Sequence, residues 1–372
     1  MTGKEMLMEI RNLDADLIEE AEFGTFQKKR TGFSGKKKLL FVLAAALIVG
    51  TMTAATVFTR WSYTMQLGNI GGVQPSESIK KQAEQSGLSV IPSETKDGKK
   101  EAVSATDKGI TVTLAQTVMD QNGGKVIFRI EGLELEEGQA PWAWWDFRID
   151  GKDYLELKLG WSTQFFHGFT LGADGNPVSL DYQLSDGSIE FSIDLDFHQN
   201  GESLFGKEMT VTFTGFGIQG EKFEDEDIIT VPGKWELSWT LEGSTAEPQK
   251  WESNAKIGHW GVTLVEVEIG QFSMKTIYRL DEKYQDYRDF MDKNNWGICP
   301  TAIVLKDGTE LVVLGTVSGQ WDAENHLYIS TYSSLNVILD PSQIAGMYFY
   351  DGYELNEEGC RVEKPDYYIP FE

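Results

Sequence analysis

Histidine and cysteine, which often act as metal ligands or nucleophiles, are sparse in this chain of 372 residues and lie far apart. The histidines and cysteines are His167, His198, His259, Cys299, His326 and Cys360. No Cys-x-x-Cys or His-Glu-x-x-His spacing occurs among them, so they form no ligand set for zinc. Phosphate-binding loops and nucleophile elbows are absent from the sequence as well. We therefore predict no catalytic residue, no metal site and no cofactor, and we expect that the protein is not an enzyme.

The two cysteines are candidates for a disulfide bond rather than for a catalytic role. Cys299 and Cys360 both lie in the C-terminal part of the chain, and an even pair can oxidise outside the cytoplasm. A bond between them closes a loop of about 60 residues, which contributes roughly 4 kcal/mol in the chain-entropy model. Two reduced thiols in the interior are the alternative, and the sequence leaves both open.

The tryptophans of "PWAWWDF" (Pro141–Phe147) form the best candidate binding surface. A tryptophan presents a large apolar face with a polar N–H, which suits stacking on a sugar ring of an envelope glycan. In a strand, Trp142 and Trp144 share one face and Trp145 takes the other. Trp145 is therefore the candidate for ligand stacking. The alternative is that one face of the strand fills the core and Trp145 is only partly exposed.

A long uncharged segment divides the chain. Leu39–Thr59 supplies 21 residues without a charged side chain, and a bilayer core of ~30 Å needs about 20 apolar residues in a helix. A cleaved signal peptide is the alternative, but 38 residues precede this segment, its apolar core is too long, and no convincing Ala-x-Ala site follows. We predict an uncleaved transmembrane helix in contact with the lipid bilayer.

Basic residues set the orientation of this helix. Those that precede it without an intervening acid are Lys28, Lys29, Arg30, Lys36, Lys37 and Lys38. On the other side Arg60 stands alone until Lys80. The positive-inside rule therefore predicts a single-pass protein of the cell membrane with a cytoplasmic N-terminus and an extracellular C-terminus.

The outer part is strongly acidic. Residues 1–38 contain eight basic and seven acidic residues, which gives them a net charge of +1. The whole chain carries −25, so residues 60–372 carry −26. Binding of nucleic acid rests on Lys and Arg that neutralise phosphates. We therefore predict no nucleic-acid partner, whereas an acidic surface suits a cation-rich outer envelope.

The cytoplasmic tail, residues 1–38, contains one amphipathic segment between Met6 and Ala21. An isolated helix this short needs a partner for its apolar stripe. The predicted partner-binding residues are Ile10, Leu13, Leu17 and Ile18. A disordered tail that only orients the protein is the alternative.

Beyond the membrane, residues 60–108 are predicted to contain a short helix and a polar spacer. The helix has Ser76 as N-cap and Gly87 after its last turn. The segment Ser93–Gly109 is polar, which favours a flexible spacer.

The remaining sequence has the alternation typical of β-strands. Apolar and polar residues alternate in Ser188–Phe197, which predicts a strand with one solvent-exposed face. Lys234–Gly243 alternates in the same way, and Asn-Gly and Asp-Gly pairs suit hairpins. We predict a mainly β fold in which the single N-terminal transmembrane helix is followed by two antiparallel β-sandwich-like extracytoplasmic domains, 109–243 and 244–372.

Two short matches indicate an internal repeat. "GITV" (Gly109–Val112) is similar to "GVTL" (Gly261–Leu264), and "IFRI" (Ile127–Ile130) is similar to "IYRL" (Ile277–Leu280). The gaps between the matches differ by two residues, which a hairpin turn can absorb.

Several longer motifs carry a resemblance to a known family. They are "LDADLIEEAE" and the Lys-rich stop before the span, "DKGITVTLAQTVMDQNGGKVIFRIEGL" (Asp107–Leu133), "GKWELSWTLEG" (Gly233–Gly243) and "VILDPSQIAGMYF" (Val337–Phe349). This order resembles Gram-positive single-pass membrane proteins that carry a domain of unknown function (serial number 4179) and a companion C-terminal β domain. Some members are regarded as anti-sigma-factor-like regulators, often paired with an extracytoplasmic-function sigma factor. Residues 1–38 contain no His or Cys, so the zinc-binding anti-sigma module is absent.

Two functions therefore compete. The first is a signal-transducing membrane regulator, implied by the resemblance to be anti-sigma-factor-like. Its outer β domains would sense the envelope, and its cytoplasmic helix would contact a sigma factor. The alternative is a membrane-anchored extracellular module that binds an envelope glycan or protein and has no signalling role.

Overall fold

The structure is a computed structural model that describes most residues between Trp61 and Phe371. The described ranges are 61–62, 64–65, 76–96, 99–136, 138–166, 169–171, 177–179, 182–184, 186–197, 203–220, 228–258, 260–294, 297–313, 316–335, 337–350, 353–355, 361–363 and 366–371. The predicted tail (1–38) and transmembrane helix (39–59) lie outside them. Within these ranges, no helix combines the length and the apolar content needed to cross a bilayer.

The described chain is mainly β, with antiparallel strand pairs and short helices. Helix α1 (Glu77–Gln85) comes before what we call the first β region. The strands of this region are β1 (Ser89–Val90), β2 (Ser93–Lys96), β3 (Lys99–Ala102), β4 (Ser104–Asp107), β5 (Ile110–Asp120), β6 (Gly123–Glu131), β7 (Pro141–Ile149), β8 (Gly160–Phe165), β9 (Phe169–Leu171), β10 (Pro177–Ser179), β11 (Ile189–Asp196), β12 (Glu208–Ile218) and β13 (Ile228–Thr240).

Two sheets enclose the core of the first β region. One has the strand order β1-β5-β6-β11-β8 with β4 also paired to β5, and the other has the order β13-β12-β7. Phe128 of the first sheet meets Phe213 and Trp239 of the second in edge-to-face contacts, with ring centroids 5.3 and 6.0 Å apart. The alternation predicted for Lys234–Gly243 is confirmed, because its apolar residues are all buried.

The second β region has helix α2 (Tyr287–Asn294) and a 3-10 helix (Pro341–Gln343) between its strands. The strands are β14 (Gln249–Glu252), β15 (Lys256–Ile257), β16 (Val262–Ile269), β17 (Met274–Leu280), β18 (Pro300–Leu305), β19 (Glu310–Val312), β20 (Thr316–Asp322), β21 (Leu327–Ser334), β22 (Ile344–Phe349), β23 (Tyr353–Leu355), β24 (Arg361–Glu363) and β25 (Tyr367–Pro370). One sheet has the order β14-β16-β17-β21-β20 with β15 also paired to β16, and the other has the order β19-β18-β22-β25.

The internal repeat is real at the level of the backbone, but its alignment differs from the predicted one. Val112 pairs with Ile130 across β5 and β6 as Val262 pairs with Leu280 across β16 and β17. A bulge follows Leu114 in the first hairpin and Leu264 in the second. "TVTL" therefore corresponds to "GVTL", and no insertion separates the two matches.

The strand order repeats as well. Strands β6, β11 and β8 are neighbours in one sheet, and β17, β21 and β20 are neighbours in the other. Likewise β7, β12 and β13 correspond to β18, β22 and β25 in chain order and in pairing. The two β regions thus share one topology.

The segment between the predicted span and the first core differs in part from expectation. The helix is confirmed: Ser76 Oγ accepts from Ile79 N, and Gly87 has a positive φ of 73°. The flexible spacer is corrected, because β2 and β3 pair as a hairpin and β4 pairs with β5. Polar residues suit such short strands at the sheet edge, where backbone pairing holds them without a second buried face.

Candidate functional site

An aromatic cleft opens where the two sheets of the first β region end side by side. Strand β7 is the last strand of one sheet and β8 is the last strand of the other. The cleft between them has a volume of about 240 Å³. It is lined by Pro141, Trp142, Ala143, Trp145, Thr163, Gln164, Phe165, Tyr182, Phe191 and Gln219. We call this site the aromatic cleft.

Pairing with β12 decides which tryptophans face the core. Phe147 pairs with Val211 and Trp145 pairs with Phe213, so these side chains share the inward face. Trp142 and Trp144 take the outward face. The structure therefore places Trp145 at the margin of the core and half-buried, whereas Trp142 is 37% exposed at the rim of the cleft.

Neighbouring rings hold Trp145 in place. Its ring stacks on Phe147 at 5.9 Å and meets Trp161 and Phe191 edge-to-face at 5.2 and 5.8 Å. Aromatic pairs in these arrangements contribute beyond their buried area. The cleft is therefore a preformed site with a rigid wall, rather than one that must assemble around a ligand.

The described lining of the cleft is neutral. None of the described residues that line it carries an acidic or basic side chain. Polar groups come from the Gln164 and Gln219 amides and from the Thr163 and Tyr182 hydroxyls. Burial raises the pKa of Tyr182, so its hydroxyl stays protonated and neutral at physiological pH. Apolar rings beside hydroxyl and amide groups suit a ligand that is uncharged and rich in hydroxyls.

A second notable feature is a buried seam around residues 61–65, directly after the predicted membrane span. Ser62 N and Oγ donate to Gln116 Oε1 at 3.0 and 2.9 Å. Thr64 N and Oγ1 donate to Glu190 Oε2 at 2.7 and 2.8 Å. Trp61 Nε1 donates to Glu84 Oε1 at 2.8 Å.

Apolar side chains complete this seam. They come from the 61–65 segment, from helix α1 and the first β region, and from the second β region. The cluster comprises Trp61, Met65, Ala83, Leu88, Ala115, Val118, Ile127, Phe272 and Ile338. The segment next to the predicted membrane helix is therefore anchored where the two β regions meet.

The seam overturns the expectation of a solvent-exposed face on β11. All eight residues of Ile189–Asp196 are buried, including the acidic ones. Thr64 covers Glu190, and Thr331 Oγ1 and Ser318 Oγ of the second β region donate to Asp196. Alternation correctly predicted the two faces of the strand, but contacts from distant residues bury the polar one.

Buried charges on this face are paired with an opposite charge or accept hydrogen bonds. Lys125 Nζ lies 2.8 Å from Asp194 Oδ1, and both side chains are 1% exposed. Asp120 accepts from Phe272 N and Ser273 N at 2.9 and 3.0 Å and from Ser273 Oγ at 2.7 Å. Removing one member of such a pair leaves an uncompensated charge in the interior, so this face tolerates little change.

The other predicted site residues have separate outcomes. Cys299 is partly buried, and burial raises the pKa of its thiol. Cys360 lies outside the described residues, so a bond between the two stays a prediction. The predicted partner-binding residues Ile10, Leu13, Leu17 and Ile18 also lie outside them. In the described ranges, no group of three or more His, Cys, Asp or Glu side chains is placed to hold a metal ion.

Comparisons with known proteins add little. No family model and no curated protein sequence matches the chain. The conserved domain protein from Bacillus anthracis is similar over 84% of this chain and 99% of its own length, with 11% identity and a TM-score of 0.47. The C-terminal domain of the antigen I/II-family protein AspA from Streptococcus pyogenes matches 76% of this chain and 98% of its own, with 12% identity and a TM-score of 0.15. That of the AgI/II polypeptide BspA from Streptococcus agalactiae matches 74% and 98%, with 12% identity and a TM-score of 0.12. All three TM-scores lie below 0.5, so we infer nothing about this chain from them.

Proposed function

We propose that the protein is a membrane-anchored extracytoplasmic binding protein that holds a neutral glycan in the aromatic cleft. In this proposal, Leu39–Thr59 spans the membrane and both β regions are β-sandwich-like domains on its outer side. The observation that carries the proposal is the described lining of the cleft: aromatic rings stand beside amides and hydroxyls, and none of these described residues is charged.

The shape of the cleft fits one ring of a longer ligand. Its 240 Å³ is smaller than the ~300–1,000 Å³ typical of sites that enclose a whole small molecule. A pyranose ring has apolar C–H faces that stack on tryptophan and a rim of hydroxyls that bonds amides. Trp142 at the rim and Trp145 in the wall supply the apolar faces, while Gln164 and Gln219 supply the amides.

Binding to insoluble cell-wall glycan tests this proposal. We expect the full chain, purified in a polyoxyethylene detergent that contains no sugar, to sediment with the glycan. Trp142→Ala should weaken binding at least ~tenfold, because exposed aromatic anchors dominate such interfaces. Trp144→Ala is the matched control, since Trp144 lies on the same strand and does not line the cleft. Equal loss in both variants, or no sedimentation of the native chain, would contradict the proposal.

The membrane anchor has its own test. In cells stripped of their wall, an added protease should remove a C-terminal tag and leave an N-terminal tag intact, because the basic cluster Lys36–Lys38 retains the N-terminus inside. Protection of the C-terminal tag instead would reject the proposed orientation and, with it, an extracytoplasmic ligand.

A regulatory function is the second proposal, and the seam favours it. Trp61–Met65 lies directly after the proposed span. Its side chains bond residues of the first β region and belong to a buried cluster that includes residues of both β regions. A ligand that alters the packing of the two regions would alter the anchorage of this segment. The signal would then pass to the cytoplasmic helix and its proposed sigma-factor partner.

Co-purification tests the regulatory proposal separately from glycan binding. We expect a sigma factor to co-purify with the full chain and to be lost in Leu17→Asp, which places a charge on the apolar stripe. Glu19→Gln is the control on another face of the proposed helix. If no sigma factor is retained by the native chain, the regulatory proposal is wrong, and the binding proposal stands on its own test.

A further inference from the structure

A second cavity lies on the outer face of the second β region, where β15, β16 and β17 pair. Its volume is about 300 Å³. It is lined by Lys256, Gly258, Gly261, Val262, Thr263, Arg279, Leu280, Asp281 and Lys283. Three of these side chains are basic and one is acidic. We call it the basic pocket, and it contrasts with a chain whose net charge is −25.

Strand register brings the basic groups together. Thr263 pairs with Lys256 on one side and with Arg279 on the other, so the three side chains leave the sheet on the same face as direct neighbours. Lys283 approaches from the segment after β17, because its Cε lies 3.3 Å from where a Cβ on Gly261 would stand. Its ammonium lies 4.8 Å from the centre of the Tyr284 ring.

The internal repeat provides a comparison for Arg279. In the first β region the equivalent residue is Arg129, which pairs with Thr113 as Arg279 pairs with Thr263. Arg129 forms an ion pair with Asp186 and lies 3.8 Å from Glu131 Oε1. A carboxylate from the protein itself therefore occupies this position in the first region.

The second β region leaves the same position open. Asp322, which precedes the equivalent strand, is used within its own turn, where it accepts from Glu324 N and from Asn325 N and Nδ2. Among the described residues, no acid lies within ion-pair distance of Lys256 or Arg279. Both side chains are exposed. The described lining sets one carboxylate, Asp281, against three cations. The excess positive charge raises the energy of the free protein, and a bound anion lowers it.

We propose that the basic pocket binds a phosphate group. Arg279 binds the phosphate as Arg129 binds the Asp186 carboxylate. The Lys256 and Lys283 ammonium groups neutralise its charge, and the Thr263 hydroxyl donates a hydrogen bond to it from the floor of the pocket. Three cations against Asp281 leave two positive charges, which match the charge of about −1.5 to −2 on a phosphate monoester at neutral pH. The planar guanidinium of arginine donates two parallel hydrogen bonds to two oxygens of such a group. The site is independent of the aromatic cleft.

Calorimetric titration of the full chain with inorganic phosphate tests this site. The protein is held in a polyoxyethylene detergent at about 50 mM ionic strength, because screening weakens exposed charge pairs at higher salt. We expect saturable binding that is at least ~tenfold weaker in Arg279→Gln and in Lys256→Gln, since charged hydrogen bonds are lost. Lys306→Gln is the matched control, as an exposed lysine of the same β region outside the pocket.

Further arms separate the sources of the phosphate. Acetate should bind more weakly than phosphate, because it carries a single charge. Micelles doped with phosphatidic acid, whose headgroup is a phosphate monoester, should displace inorganic phosphate if the natural ligand is a lipid headgroup, and should leave it bound if the ligand is a soluble phosphate ester. Unchanged thermal unfolding of the variants shows that they are folded. No saturable binding, an equal loss in Lys306→Gln, or equally tight binding of acetate would overturn the proposal.

Discussion

The two β regions have one topology but close their edges differently. In the first region β7 ends its sheet and faces β8 across the aromatic cleft. In the second region the equivalent strand β18 carries a further strand, β19, on its outer side. The shared hairpin bulge shows that the backbone of the repeat is retained. The differences between the two regions that are important for binding therefore lie at strand edges and outer faces, rather than in the shared strand topology of the core.

The same contrast holds for the outer faces of the repeated hairpins. In the first region this face is covered by residues 61–65 and by the second region, which buries Lys125 and Asp194. In the second region the equivalent lysine, Lys275, remains 21% exposed and pairs with Glu268 at 2.7 Å. One lysine of the repeat thus lies in the interior and the other lies near the surface.

Replacing these two lysines should give the largest difference in the free energy of unfolding between the two β regions. Lys125→Met should lower the free energy of unfolding by about 3–5 kcal/mol, because Asp194 is left buried without its partner. Lys275→Met should cost about 1 kcal/mol, since Lys250 still pairs with Glu268 at 2.8 Å. Urea unfolding of the two full-length variants measures both values.

A double variant controls for packing at the first site. Lys125→Met combined with Asp194→Leu should recover most of the lost stability, because no charge is then left unpaired. Similar losses for Lys125→Met and Lys275→Met would show that the two faces do not differ in the way described.

The seam predicts a smaller effect at Thr64. Thr64→Val keeps the shape of the side chain and removes the donor to Glu190 Oε2, so it should cost about 1–3 kcal/mol. Thr106→Val is the control, because the hydrogen bond between the Thr106 and Thr111 hydroxyls is exposed and its loss should cost less than about 0.5 kcal/mol. Protease cleavage between Trp61 and Ser76 should also become faster in Thr64→Val alone. An unchanged stability would place residues 61–65 outside the folded unit.

A fall in pH should gradually weaken the contacts between the two β regions. Burial opposes ionisation of Glu268, but hydrogen bonds from Lys250, Lys275 and Asn122 outweigh it and lower the pKa of its carboxyl to about 2. A carboxyl with a lowered pKa contributes stability above its unfolded value of about 4.3, and this contribution is lost as the pH falls towards 2. We expect Glu268→Gln to reduce the fall in the free energy of unfolding between pH 5 and 2 by about 1–2 kcal/mol. An identical pH dependence in the variant would rule out this role.

Much of the fold could be predicted because it depends on local patterns. Alternation identified β11 and β13, the capping residues Ser76 and Gly87 identified α1, and Asp307-Gly308 identified the β18–β19 hairpin. The repeat was visible in "IFRI" and "IYRL". Its correct alignment was not, because the bulges after Leu114 and Leu264 follow from strand pairing rather than from residue type.

The sites were harder to predict because they depend on distant residues. Thr64 and Glu190 are 126 positions apart, so no local pattern shows that the polar face of β11 is covered. Trp145 was recognised as a candidate, but the cleft around it joins β7 to β8 and β11 across two sheets. The basic pocket required the pairing of Thr263 with both Lys256 and Arg279. In each case the missing information was which strands are neighbours.

Binding of a neutral glycan in the aromatic cleft is tested most directly by fluorine NMR of the full chain labelled with fluorotryptophan. Soluble cell-wall oligosaccharides are added, and single Trp→Phe variants assign the signals. We expect saturable shifts of the Trp142 and Trp145 signals, while the Trp251 signal, from a ring stacked on Phe371 in the second β region, stays unchanged. Shifts confined to Trp251, or no shift at any tryptophan at saturating oligosaccharide, would contradict it.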